Sequence, residues 1–192
     1  MKVITLILQK RCKTFNKEIA LPIPYSIRRT PATVATHEVF SNPEAGTNCE
    51  LLVQAFVRAR GFYIPALRSS ELYEDQLFTR LIDDPRQIQT GDILGFCEVE
   101  KIDFYGIHVG LAWVDNRNLR VVHNARHIGQ AQVEDLEEVL AYEKHARLVW
   151  IKRPILKNPF LFNPGKLQEL GFPFLVPSYN PPATTSSAFI VA

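Results

Sequence analysis

Residues 46–61, Gly-Thr-Asn-Cys-Glu-Leu-Leu-Val-Gln-Ala-Phe-Val-Arg-Ala-Arg-Gly, read as one short helix that is apolar on nearly every side. Only Glu50, Gln54 and Arg58 form a polar stripe at a spacing of four, with Arg60 at the end. Such a helix has to be covered on most faces, so the rest of the chain must be arranged around it. Thr47 can cap its start, with Glu50 three residues on reaching back to it. Gly61, just past the last apolar residue, is the stop, because glycine closes a helix in the left-handed conformation without strain. Cys49 is then the second helical residue, on the face of Leu52, Val53 and Phe56, with its sulfur turned inward. Unpaired N–H groups and the helix dipole favour negative charge there, which suits a thiolate nucleophile. A small buried core residue is an equal reading, cysteine being among the most buried types.

At 192 residues the chain can bury a core without disulfide staples. Its three cysteines, Cys12, Cys49 and Cys97, cannot all pair within the chain; their wide scatter reads as free thiols in a reducing compartment, with one disulfide plus one free thiol as the alternative. A net charge of +2, with 22 basic residues spread among 20 acidic ones, leaves no electrostatic footprint for nucleic acid. No apolar run approaches a membrane span of about 18 residues, and Val3 to Leu8 is shorter than the ~7–15-residue core of a signal peptide. The expectation is a soluble, cytoplasmic protein with no nucleic-acid or membrane partner.

Along the chain, residues 3–8 read as a buried strand. Residues 18–45, with Pro22, Pro24, Pro31 and Pro43, read as an extended lead-in. After the Cys49 helix, a serine of Arg68-Ser69-Ser70 can cap a second helix to about Ile82, which Asp83-Asp84-Pro85 ends. A strand from Ile93 to about Val99 follows the Gly91-Asp92 turn. Ile107 to Val114 is the strongest strand, turned by Asp115 to Asn118 and returned by Leu119 to about Asn124. Residues 134–143 read as a helix, and Ala146 to Lys152 as the last strand. Seven of the thirteen prolines lie between 154 and 182, among Phe160, Phe162, Phe172, Phe174 and Tyr179. That segment cannot enter a sheet interior and reads as an extended arm packed on the domain or on a partner. The division is thus a lead-in over 1–45, a central domain over 46–153 and a Pro/aromatic-rich arm over 154–192.

Of the five histidines, His108 and His123 fall in the hairpin. Alternation puts His108, Gly110 and Ala112 on one strand face, a small face that a helix can approach. If Val114 pairs with Leu119, His123 lies opposite Gly110 on the face of His108, a diagonal neighbour at roughly 7–8 Å. A one-residue slip would separate the rings to opposite faces. A cysteine at a helix start, a histidine on a small-residue strand face and a second polar group beside it make a nucleophile, base and orienter set. His108 would take the thiol proton, His123 would hold its tautomer, and a first-turn N–H would stabilise an oxyanion. Two histidines and a cysteine can also bind zinc, but no Cys-x-x-Cys pair or fourth ligand accompanies them.

Taken together, Asn48-Cys49-Glu50-Leu51-Leu52-Val53, Gly61 to Pro65, Arg68-Ser69-Ser70, Gly91-Asp92-Ile93-Leu94-Gly95-Phe96, His108-Val109-Gly110-Leu111 and Val122-His123-Asn124-Ala125 resemble the NlpC-type peptidases of the papain-like superfamily. The likeness covers roughly residues 46–126. It implies an α+β fold with a central Cys-bearing helix on an antiparallel sheet, Cys49 as nucleophile, His108 as base and His123 as third catalytic group, with no cofactor and no metal. Asn48, Glu50, Arg68 and Ser69 would contact substrate. Such enzymes typically cleave peptidoglycan stem peptides, often at a γ-D-glutamyl bond, through a thioester. Members that cut such stems usually carry Asp before the cysteine and Ser after it, where this chain has Asn48 and Glu50.

The sequence therefore leads to a cysteine peptidase or amidase acting on a small peptide-like substrate such as a cell-wall fragment, with the arm a surface for self-association. An inactive binding module on the same fold, and an acyltransferase using the same thioester, are the alternatives.

Overall fold

The computed structural model describes residues 19–98, 108–115, 118–142 and 147–169. Within them, seven strands form one antiparallel sheet, and the apolar helix predicted at Cys49 lies across it. The strands are β1 (Ile19–Pro24), β2 (Thr79–Leu81), β3 (Ile93–Cys97), β4 (His108–Asp115), β5 (Asn118–Asn124), β6 (Gln130–Asp135) and β7 (Arg147–Pro154). Their order is β1-β6-β5-β4-β3-β7-β2, and every pairing is antiparallel. The helices are α1 (Glu38–Ser41), α2 (Cys49–Ala59), α3 (Ser69–Glu74), α4 (Leu136–Ala141) and α5 (Pro164–Glu169). The fold class is α+β, as the sequence suggested.

Both faces of the sheet are covered. On one, Leu51, Leu52, Val53, Phe56 and Val57 of α2 pack with Ile93, Val109, Leu111, Val122, Val133 and Trp150. On the other, Leu136 and Val139 of α4 pack with Leu94, Phe96, Ala112, Val121 and Ile151. Period-two alternation along β3 and β4 sorts neighbouring residues into these two cores, which is why both strands read as nearly unbroken apolar runs. The small residues of β4 do not receive α2, contrary to the sequence reading. A Cβ built on Gly110 would meet Cγ1 of Val121 on the next strand, while α2 lies on the Val109 and Leu111 face. Gly95 plays the corresponding part for Trp150, which is 1% exposed and whose indole fills the space a Cβ would take. Replacing Gly95 by alanine is expected to cost roughly 2–3 kcal/mol, since a rigid buried indole cannot yield without displacing the core. Thermal unfolding measures this, and a melting temperature within a degree of the native value would contradict the packing.

α2 ends as predicted. Gly61 has φ +83°, its N–H donates to the Arg58 carbonyl, and the Phe62 N–H donates to Val57, the paired bonds of a Schellman close. Its start differs. The N-cap is Asn48, whose side-chain oxygen accepts from the Leu51 N–H at 2.8 Å, so Cys49 is the first helical residue. Thr47 instead donates its hydroxyl to the Asn48 carbonyl at 3.0 Å. Gln54, expected on a polar stripe, is fully buried, its amide bonded to the backbone carbonyl and N–H of Leu67.

Other boundaries move for local reasons. The Pro-rich lead-in contains β1, an edge strand beside β6, where missing N–H groups are tolerated, and the short helix α1. The helix after Arg68 stops at Glu74, not Ile82. Arg68 is its N-cap, and the Asp75 carboxylate takes the Leu77 and Phe78 N–H groups and the Thr79 hydroxyl, turning the chain into β2. The helix expected from 134 starts at Leu136, and residues 130–135 form β6. The first part of the arm packs on the domain: Asn158 and Asn163 donate N–H groups to the Gly61 and Ala59 carbonyls, and Leu167 is wholly buried in the α2 core. The strand expected at 3–8 and the rest of the arm, 170–192, lie outside the described residues. No helix among the described residues is long and apolar enough to cross a membrane.

Candidate active site

The β4–β5 ladder runs from Asp115↔Asn118 to Leu111↔Val122, the register in which paired numbers sum to 233 that the sequence suggested. Extended one pair further, it sets His123 opposite Gly110 and diagonal to His108. The rings meet there: His108 Nε2 and His123 Nδ1 are 2.9 Å apart, with both residues buried. Behind them the sequence reading missed a third member. Glu134 of β6 places Oε2 2.6 Å from His123 Nε2, and the pair is inaccessible to water. The other carboxylate oxygen accepts the Tyr142 hydroxyl at 2.9 Å, and the ring of His127 stands edge-on to Tyr142 with centroids 4.3 Å apart. Burial works to raise the Glu134 pKa, but the hydrogen bond from His123, its charge, the Tyr142 hydroxyl and the charge of His127 outweigh it and hold the carboxyl below its usual range.

Cys49 arrives from the opposite side of the sheet. Its thiol meets the backbone N–H of Val109, one residue along β4 from His108 and beyond the last β4–β5 pair. Asn124 fastens the helix start at this opening: its side-chain amide donates to the carbonyls of Thr47, at 3.0 Å, and Pro24, at 3.1 Å. Gly46, with φ +76°, lets the backbone at Pro24 come close, since a Cβ there would stand 2.6 Å from the Pro24 carbonyl oxygen.

The helix start does not win the contest for the thiol's proton. Burial pushes the Cys49 pKa up to about 12, with Glu50 adding to it, while the N–H groups of Val109, Glu50 and Cys49 itself pull the other way. Desolvation exceeds the dipole, so the resting sulfur is a thiol and its ionisation needs a base. Tyr25, half-buried, has its pKa raised by burial and by the charges of Cys49 and Glu50, against the pull of Arg126.

No protein-family model, curated protein or solved structure matches this chain.

The residues read from sequence as substrate contacts fall into two groups. Asn48, Glu50 and Ser69 form one cluster beside Cys49: Glu50 accepts the Ser69 N–H and hydroxyl at 2.8 and 2.6 Å and the Asn48 amide at 3.1 Å, tying the starts of α2 and α3 together. Arg68 has an exposed side chain and uses its backbone N–H to cap α3 through Glu71. Among the described residues no group of His, Cys, Asp and Glu has the disposition of a metal site. Glu134 was legible in principle: Gln130, Gln132 and Glu134 alternate with Ala131 and Val133. The helix expected over 134–143 covered the end of that strand, and no strand was expected over 130–133.

Proposed function

We propose that this protein is a cysteine hydrolase of NlpC-like, papain-like design, cleaving an amide bond in a small peptide-like substrate through a thioester. One observation carries the reading: the Cys49 thiol meets β4 beside His108, whose ring is braced from behind by a buried histidine and carboxylate. In the reaction, Sγ adds to the substrate carbonyl while its proton passes to His108. The tetrahedral oxyanion is met by first-turn N–H groups of α2 that the Asn48 cap leaves unused. Collapse breaks the C–N bond, and the amine leaves with the proton from His108. Water, deprotonated by the same ring, then cleaves the thioester to release the acid and restore the thiol. Asn48, bound to Glu50, which in turn binds Ser69, stands where a charged aspartate would hold a substrate amine. The substrate is therefore a cell-wall peptide fragment or a related amide rather than a stem that needs that contact.

A second reading rests on the thiol pKa of about 12, which also describes an inert buried cysteine in a binding module. Alkylation separates the two. If His108 serves as the base, Cys49 in the native protein should react with iodoacetamide at neutral pH much faster than in His108→Ala, where burial and Glu50 oppose the first-turn and Val109 N–H groups without a base to take the proton. Mass spectrometry assigns the label to Cys49 rather than Cys12 or Cys97. Identical slow profiles in both proteins would favour the binding module.

A further inference from the structure

Among the described residues, three buried side-chain nitrogen or oxygen atoms have no hydrogen-bond partner: Nε and Nη2 of Arg29 and Oδ1 of Asn124. Both residues clasp the start of α2. The strap from Pro24 to Arg29 runs along Thr47 and Asn48. The Thr47 N–H donates to the Pro24 carbonyl at 2.9 Å, the Ser26 N–H to the Thr47 carbonyl at 3.0 Å, and the Asn48 N–H to the Arg29 carbonyl at 3.1 Å. From β5, Asn124 donates its side-chain amide to the Thr47 carbonyl. The surroundings settle which way that amide faces: Nδ2 lies 3.0, 3.1 and 3.4 Å from the carbonyl oxygens of Thr47, Pro24 and Ile23, so a flipped amide would set Oδ1 against three acceptors. The unpartnered atom of Asn124, a residue 0% exposed, is therefore an acceptor.

The unpartnered atoms of Arg29 are donors, and they are a particular pair. Arg153 grips Asp92 through Nε and Nη2, both at 2.8 Å, and Arg86 grips Asp84 through the same two nitrogens at 3.0 and 2.9 Å. Nε and Nη2 form one edge of the guanidinium, a fork matched to the two oxygens of a carboxylate. In Arg29 that edge is buried and bonds to nothing. Burying a permanently charged donor without an acceptor is costly, and a ligand that supplies the acceptor removes that cost. We propose that Arg29 and Asn124 form a binding site for a carboxylate-bearing amide at the start of α2: the Arg29 fork takes the carboxylate, and Asn124 Oδ1 accepts an N–H of the same ligand. The ligand class is an N-acylated amino acid or a short peptide with a free carboxylate. The charge recognised is then negative, in keeping with Asn48 standing where an aspartate would hold an amine. Arg29 is partly exposed and so within reach of solvent, whereas Oδ1 is sealed, so the strap must shift from α2 for an N–H to arrive. This names the substrate class for the function proposed above, and rests on that reading for the reaction but not for the binding.

The experiment follows the backbone amide shifts of Thr47, Asn48 and Cys49 by NMR in the full chain during titration with three probes. N-acetylglycine carries both the carboxylate and the N–H, N-acetylglycinamide lacks the charge, and N-acetylsarcosine lacks the N–H. N-acetylglycine is expected to shift these amides saturably, with the neutral amide binding roughly tenfold more weakly and the N-methylated acid roughly fivefold more weakly. Arg29→Gln should remove the preference for the acid over its amide, and Arg29→Lys should restore part of it. Equal binding of the acid and its amide, equal binding of the acid and its N-methylated form, no response at these three residues, or a preference that survives in Arg29→Gln would each overturn the site. Should Arg29→Gln not fold, the three probes on the native protein decide by the same criteria. If the probes rank as expected while Cys49 alkylates alike in the native protein and His108→Ala, the binding site stands and the hydrolase reading falls. If the probes fail to rank while those alkylation profiles differ, the hydrolase reading stands and the site is overturned.

Discussion

Cys49→Ala is expected to abolish turnover, by roughly 10⁴-fold or more, while leaving the protein folded. The two halves of that expectation have separate causes. Sγ is the atom that bonds to the substrate carbonyl, and no neighbour can replace it: Asn48 and Glu50 are bound to each other and to Ser69, and Cys97 is buried in β3. The fold, by contrast, loses little. Cys49 is partly exposed, alanine is the better helix former, and the start of α2 is held by the Asn48 side chain and by Asn124 rather than by the sulfur. The stability change should stay within about 1 kcal/mol. Release of free amine from a cell-wall peptide fragment or a related amide, followed by mass spectrometry, reads the first half. Thermal unfolding reads the second. A variant that still turned over the native protein's substrate would end the mechanism.

His108→Ala and His123→Ala should rank oppositely for activity and for stability. His108 is the base, so its loss should lower kcat/KM by about 10²–10⁴-fold, whereas His123 orients that base and its loss should cost less. In stability the order reverses. His123 is fully buried and bonded on both ring nitrogens, and taking it away leaves Glu134 buried with only the Tyr142 hydroxyl on its carboxylate. Removing one partner of a buried ionic pair typically costs about 3–5 kcal/mol. His108→Ala leaves the His123 and Glu134 pair intact and should be milder. Denaturant unfolding gives the stability order, and kcat/KM measured well below each melting temperature gives the activity order. Equal rankings in both would contradict the roles assigned.

What could be read from the sequence was what local patterns determine. The apolar faces of residues 49–59 made α2 visible, glycine chemistry fixed its end, and the two-period alternation with the Asp115 to Asn118 turn fixed the β4–β5 register, hence the meeting of His108 and His123. What could not be read depended on competition or distance. Asn48 displaced Thr47 as cap because both are good caps and only the approach of Asn124 and Pro24 decides between them. β1 and β2 are edge strands whose identity comes from partners far along the chain, β6 and β7. β6 was hidden because the helix read from Leu136, Val139 and Leu140 was begun at 134, and Glu134 was hidden with it. The thiol pKa lay beyond reach for the same reason: a helix start advertises a pull on the proton, while burial, which outweighs it, belongs to the assembled fold.

The sheet stands as a partition, with the sulfur reaching it from the α2 side and the imidazole chain packed on the α4 side. The two sides meet where the thiol stands at the Val109 backbone, past the last pairing of β4 with β5. One compartment sets how the sulfur is held and the other how basic the imidazoles are. A change that shifts the start of α2 there moves the sulfur without repacking the imidazoles, so the reach between the two can be altered from one side alone.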